Sequence, residues 1–307
     1  MGERRPLVPV IVGPTGVGKT AVALALAAHW PLTIISADSR QVYRGLDIGT
    51  AKPDAPTRRR VPHVGLDLID PGQRYSAGRF ARDAAAWIAE IDASRRPVVV
   101  GGTGFYVRAL ADGLFREPAM DTSRRTQLRA WSDGHAALAS WATRLDRGYT
   151  GGGKQRAART VEVALLTGRS LSWWQQQARA EGAIRPWYVR LTLPRPVLQA
   201  RIRQRADRML GAGWVEEVQR LIQSGVPVDA PGLEALGYRE VLAHLDGRIS
   251  RQELPEAIAT ATRKYAKRQE TWFRHQLGSA PVVTLDAGEE PEHLARRIVE
   301  LWETRGG

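Results

Sequence analysis

The groups best suited to chemistry in this chain start at Gly13-Pro14-Thr15-Gly16-Val17-Gly18-Lys19-Thr20. The run fits the phosphate-binding loop pattern, two glycines around four residues followed by Lys and Thr. Its glycines let the backbone curl until successive N–H groups face phosphate oxygens. Lys19 adds a formal charge, and the helix N-terminus that follows adds a partial one. The Thr20 hydroxyl is placed to hold Mg²⁺ on the bound phosphates. The motif specifies a polyphosphate without specifying ATP. A second candidate is Asp38, in Ser36-Ala37-Asp38-Ser39-Arg40-Gln41-Val42-Tyr43. It reads either as a carboxylate beside the phosphate loop or as the N-cap of a short helix. A third is Gly101-Gly102-Thr103-Gly104, after an apolar run. A motor-type NTPase carries a carboxylate there. Here glycines permit close approach by a ligand and Thr103 offers a hydroxyl, unless the run is a plain strand-to-helix turn.

Cations form the remaining candidates. Arg201 and Arg205 share one helical face and either close over a pyrophosphate or form a solvated basic face. Arg156 and Arg159 lie three apart on another predicted helix, just after Gln155. Residues 263–274 (RKYAKRQETWFR) interleave Lys267, Arg268 and Arg274 with aromatics. That composition binds RNA by phosphate contact and stacking, but an amphipathic helix docking its aromatics in a core has it too.

The elements that position these residues alternate. Pro9–Val12 reads as a strand, Ala21–Ala28 as a helix and Leu32–Ile35 as a second strand. Val64–Ile69 is a short strand candidate, and Ser76–Asp92 carries a helical stripe. Strands follow at Pro97–Val100, Trp187–Leu193 and Val282–Leu285. Helices are expected at 155–166, ended by Gly168, and around Trp173-Trp174, 197–205, 214–223, 233–245, 250–276 and 291–302. Ser250 and Glu253 make a capping box, with Pro255 marking a restart. The pattern predicts an α/β fold, a parallel Rossmann-like sheet flanked by helices. Residues 115–150 turn polar and read as a small helical insertion with one amphipathic helix marked by Leu138, Trp141 and Leu145. The core would then comprise 1–114 and 151–307.

At 307 residues, 43% hydrophobic and 25% charged, the chain is sized for such a core. A net charge of +13 suits a polyanionic partner, nucleic acid first. Only five of the 45 basic residues are lysine, and arginine forks onto phosphate and stacks on bases. The absence of cysteine excludes disulfides and thiolate zinc sites and permits a reducing compartment. No pair of the six histidines has metal-ligand spacing. Neither a signal peptide nor a membrane-spanning run is visible, so the expectation is a cytoplasmic monomer with no membrane partner.

The sequence resembles the tRNA dimethylallyltransferase (tRNA isopentenyltransferase) family. The resemblance is carried by GPTGVGKT (13–20), ISADSRQVYRGLDIGTAKP (35–53), DPGQRYSAGRF (70–80), VVGGTGFY (99–106), GYRE (237–240) and KRQETWFR (267–274). It departs at Gly151-Gly152-Gly153-Lys154, where the family usually has an Asn-Asp-containing stretch. The family moves a dimethylallyl group from its diphosphate to N6 of the adenosine 3′ of the anticodon, using Mg²⁺ and a P-loop core with a helical insertion. The resemblance implies dimethylallyl diphosphate on residues 13–20 with Arg205. It implies the tRNA anticodon stem-loop on Asp38, Ser39, Arg40, Gln41, Thr103, Gln155, Arg156, Arg159, Lys267, Arg268 and Arg274. Asp38, with Thr103 and Lys19, would form the catalytic set. A P-loop nucleoside or small-molecule kinase and an RNA-binding NTPase are the alternatives that the residues alone leave open.

Overall fold

The computed structural model describes residues 5–115, 120–177 and 181–304; residues 116–119 of the predicted insertion lie outside the described residues. The chain divides into a larger unit, Met1–Ala111 with Ala183–Gly307, and a smaller one, Asp112–Gly182. The larger unit contains strands β1 (Leu7–Val12), β2 (Leu32–Ser36), β3 (His63–Val64), β4 (Arg96–Gly101), β5 (Arg185–Thr192) and β6 (Val282–Asp286). They form one parallel sheet, as the sequence predicts, and the strand order is β3-β2-β4-β1-β5-β6. The helices before the smaller unit are α1 (Lys19–Leu26), α2 (Ala55–Arg60), α3 (Ala77–Glu90) and α4 (Gly104–Asp112). The smaller unit holds α5 (Thr122–Gly134), α6 (Leu138–Leu145), α7 (Lys154–Thr167) and α8 (Leu171–Gln177). After it come α9 (Arg195–Gly211), α10 (Trp214–Gln223), α11 (Tyr238–Leu245), α12 (Leu254–His275) and α13 (Pro291–Glu303).

The central strands read as continuous apolar runs because helices cover both faces of a parallel sheet. Ile11, Val98, Val189 and Leu191 join α1 and α13 side chains in the main core. A second cluster gathers Leu46, Trp214, Val218, Tyr238, Val241 and Leu254. At its centre the buried Glu217 carboxylate accepts the amides of Asp47 and Ile48 (2.9 and 2.7 Å) and the Tyr238 hydroxyl (2.7 Å). A carboxylate in the core is thus matched by donors, and it fixes the 47–49 turn.

Three predicted elements come out shorter. The strand expected over 64–69 is only His63–Val64, because Gly65 and Asp67 are both left-handed (φ 87° and 55°). The helix expected from 233 begins at Tyr238, after Gly237 at φ 86°. The 250–276 helix starts at Leu254, with the Ser250–Glu253 box in front of it (3.0 and 3.3 Å).

The smaller unit is longer than the predicted insertion, and the boundary drawn at 150 falls inside it. The reason is α7, whose Ala157 and Val161 pack with Leu138 and Ala142 of α6. In addition, Glu162 on α7 is buried beneath Arg125 (3.0 Å) and Arg129 (2.8 Å) of α5 and bonds Arg159. Burial alone raises the Glu162 pKa, but the Arg129 hydrogen bond and the three guanidinium charges outweigh it and hold it below the usual glutamate value. The unfolded chain therefore takes up this proton first as pH falls, so the contribution is full above pH ~4.3 and lost in acid. Glu162→Gln is expected to lower stability by about 1–3 kcal/mol at pH 7. The test is urea unfolding, in which the gap to the parent should close below pH ~4.

Candidate active site

Three loops meet at the carboxyl ends of β1, β2 and β4, where parallel α/β sheets place their ligands. The register sets Val12 beside Gly101 and Ser36 beside Val100. The Ala37 amide donates to Val100 O (2.8 Å) and the Thr103 amide to Ala37 O (3.2 Å). Approach is so close that a Cβ on Gly101 would lie 2.1 Å from Ala37 O. The glycines of 101–104 thus serve packing between loops, and they bring Thr103 against Ala37 and Ser39, the residues flanking Asp38. Thr103 Oγ1 accepts the Ser39 amide (3.0 Å) and donates to Ser39 Oγ (3.3 Å).

In the phosphate loop Gly13, Gly16 and Gly18 have φ of 150°, 82° and 109°, conformations that glycine reaches without a Cβ penalty. Lys19 Nζ turns back onto the carbonyls of Gly13 (2.9 Å) and Pro14 (2.8 Å). Burial lowers its pKa from 10.5 to about 8; the Asp38 charge works upward and Arg205 downward. The Thr15 amide is donated to Gln269 Oε1 (2.8 Å) and that of Val17 to Pro14 O (3.4 Å). The expectation that successive loop amides are open to phosphate therefore does not hold at Thr15 and Val17, whose N–H groups are engaged within the chain.

Asp38 does not cap a helix. No helix follows it, and its Oδ1 accepts the Arg40 amide at 2.8 Å in a tight turn. The carboxylate is half-buried. Its charge acts on Lys19 and Arg205, and on Tyr106 and Tyr265, whose pKa values rise through burial first and Asp38 among the lesser causes. Arg205 lies toward Lys19 and Asp38, and burial lowers its pKa. Arg201, one turn earlier on α9, donates to Val17 O (3.4 Å). Arg40 Nη1 donates to Pro231 O (3.2 Å). The Gln41 carboxamide is spent inside the chain: it accepts from Ser36 Oγ (2.8 Å) and donates to Thr50 O and Ala51 O (3.2 and 3.3 Å). It braces the loop after β2 instead of reaching for a base.

On α12 the stripe Ile258, Ala259, Ala266, Gln269 and Phe273 is buried, while Lys267, Arg268 and Arg274 are exposed. Phe273 is therefore core, and the aromatic interleaving seen in sequence resolves into two faces. Arg268 lies over the Tyr265 ring (5.6 Å). In the smaller unit Gln155 and Arg156 are exposed on α7, whereas Arg159 is committed to Glu162.

No group of three or more His, Asp or Glu among the described residues is placed to hold a metal ion. Thr20 is exposed at the loop. A hydroxyl without a carboxylate cage fits Mg²⁺ that arrives with its phosphates and keeps its waters, and fits no all-protein metal site.

Residues 41–276 match the family profile described as IPP transferase, and residues 6–62 that described as isopentenyl transferase. The chain belongs to the IPP transferase family. It is 43% identical over 314 residues to a tRNA dimethylallyltransferase of Xanthomonas oryzae pv. oryzae, covering 97% of this chain and 94% of that one. A tRNA dimethylallyltransferase of Thermomicrobium roseum is 42% identical over 282 residues, with 89% and 85% covered. The crystal structure of the tRNA isopentenylpyrophosphate transferase of Bacillus halodurans superposes with a TM-score of 0.70 at 32% identity, over 99% of this chain and 98% of that one.

In this member of the IPP transferase family, sequence reasoning passes over Gln269, Tyr106, Tyr265 and, in part, Arg201. One signal was present for Gln269: it is the polar residue on the apolar stripe of a long amphipathic helix. The tyrosines stand inside runs already singled out, Tyr106 in VVGGTGFY and Tyr265 in RKYAKRQETWFR, but nothing in those runs points to their shared neighbour Asp38.

Proposed function

We propose that this enzyme transfers a dimethylallyl group from dimethylallyl diphosphate to N6 of the adenosine immediately 3′ of the anticodon in tRNA. The observation that carries the reading is the position of Asp38. Its carboxylate acts on the phosphate-loop lysine and Arg205, while β4 ends in glycines and Thr103 without the carboxylate of an ATP-hydrolysing motor. In the reaction the N6–C1 bond forms as the C1–O bond breaks. The electron pair leaves with the diphosphate, and the N6 proton passes to Asp38.

Adenine N6 is a weak nucleophile because its lone pair is delocalised into the ring, so a base within hydrogen-bond reach is required. The target base leaves its stack to enter the site. Ser39, Arg40 and Thr103 hold it there, and Gln41 keeps their loop in place. The loop amides of Gly16, Gly18 and Lys19, the Lys19 ammonium and Arg205 take up the charge that develops on the leaving diphosphate. Mg²⁺ held by Thr20 and the diphosphate oxygens would supply further charge neutralisation. Gln155 and Arg156 on the smaller unit contribute to the tRNA surface.

Lys267, Arg268 and Arg274 contact tRNA phosphates. Replacing Lys267 and Arg268 by Ala is expected to flatten the log–log dependence of tRNA affinity on salt by up to about two units. An unchanged slope, measured by filter retention, removes both from the RNA surface. The reaction itself is tested by mass spectrometry of tRNA nucleosides after incubation with dimethylallyl diphosphate. A hydrophobic N6-alkylated adenosine in the digest is the expected product. Robust phosphate release from ATP with no such nucleoside would sink the reading.

A further inference from the structure

Gln269 stands out because both ends of its buried carboxamide are used, and on different loops. It is 6% exposed. Oε1 accepts the Thr15 amide of the phosphate loop, and Nε2 donates to Gly102 O beside Thr103, each at 2.8 Å. Position 102 is shaped for this contact: a Cβ there would lie 2.4 Å from Gln269 Nε2. Two residues further along, a Cβ on Gly104 would lie 2.3 Å from the Trp272 ring, so α12 grips the 101–104 loop twice. On its outer face the same helix exposes Lys267 and Arg268.

We infer that Gln269 is a positioning residue that ties the phosphate loop and the Thr103 loop to α12, so that diphosphate and tRNA bind cooperatively. The inference rests on the function proposed above. Through the clamp, three segments far apart in sequence order together. A tRNA seated on the outer face of α12 restrains the helix, and with it the Thr15 end of the phosphate loop. Diphosphate then meets a loop whose ordering entropy is already spent, and the reverse holds by linkage. A carboxamide suits the task because it offers an acceptor to an N–H and a donor to a C=O at once, with no charge to compete for the diphosphate.

The test is calorimetric titration of inorganic diphosphate into the enzyme, with and without saturating tRNA. In the parent, tRNA is expected to tighten diphosphate by about fivefold or more, the usual range of coupling between sites. In Gln269→Met, which keeps the length and loses both hydrogen bonds, the ratio should fall toward unity. Gly102→Ala gives an independent reading. Its φ lies outside the left-handed region, and its Cβ displaces the carboxamide while leaving Gln269 present. Loss of coupling in Gly102→Ala supports the clamp even if Gln269→Met does not fold. No coupling in the parent, or full coupling in Gly102→Ala, overturns it. A parent that couples the two ligands but forms no N6-alkylated adenosine supports the clamp and refutes the transfer reaction, so the two failures are distinct.

Discussion

Asp38→Asn is expected to slow allyl transfer by ~10²–10⁴-fold in a single turnover, the usual worth of a general base. Donor and tRNA binding should stay nearly intact. The turn survives the change because the Arg40 amide needs only one oxygen at 2.8 Å, and an asparagine oxygen supplies it. On the mechanism proposed, the variant loses the acceptor of the N6 proton together with the negative charge that acts on Lys19 and Arg205. Loss of that charge strengthens the positive field on the diphosphate, so donor affinity should hold or rise while the rate falls. This opposition separates a base from a structural carboxylate, whose removal weakens binding and rate together. Single-turnover transfer beside filter retention gives both numbers. A rate within about threefold of the parent, far short of a general base's contribution, leaves Asp38 as a turn former only.

Where a stretch of sequence carried its own local reason, the fold was legible. Strand, glycine loop and helix over Leu7–Leu26 follow from apolar residues and left-handed glycines that are neighbours in the chain. The Gly168 stop is equally local, at φ 69°. The site was legible as a set of loops at strand ends, but its wiring was not. Gln269 meets Thr15 across 254 residues and Gly102 across 167, and no periodicity encodes either contact. Gln41 shows the reverse case. Its motif suggests a base-reading amide, yet Ser36, Thr50 and Ala51 use up its carboxamide. The extent of the smaller unit was hidden for a related reason. Helix α5 is polar along most of its length, so periodicity misses it, and it is held to α7 by the arginines around Glu162.

Lys19→Ala is expected to lower transfer by about 10²–10³-fold, the cost typical of removing one group that stabilises developing negative charge. The residue also gives a signature that no neighbour can mimic. With its pKa lowered to about 8 by burial, part of the donor-free enzyme holds Lys19 neutral at mildly alkaline pH. A bound diphosphate favours the ammonium, so donor binding above that value takes up a proton. Affinity should therefore fall as pH rises through about 8, by at most tenfold per unit, and the fall should vanish in Lys19→Ala. Calorimetry of inorganic diphosphate binding at pH ~8.5, in two buffers of different ionisation enthalpy, counts the net proton uptake, and the difference between the parent and Lys19→Ala isolates the lysine's share from that of the diphosphate itself. The same lowered value acts on folding. Between about 8 and 10.5 the unfolded chain holds a proton that the folded one has released, so the donor-free protein gains stability as pH rises through that window. Lys19→Ala removes this gain together with the proton uptake. Loss of one without the other would mean that the titrating group is not the lysine bonded to Gly13 and Pro14.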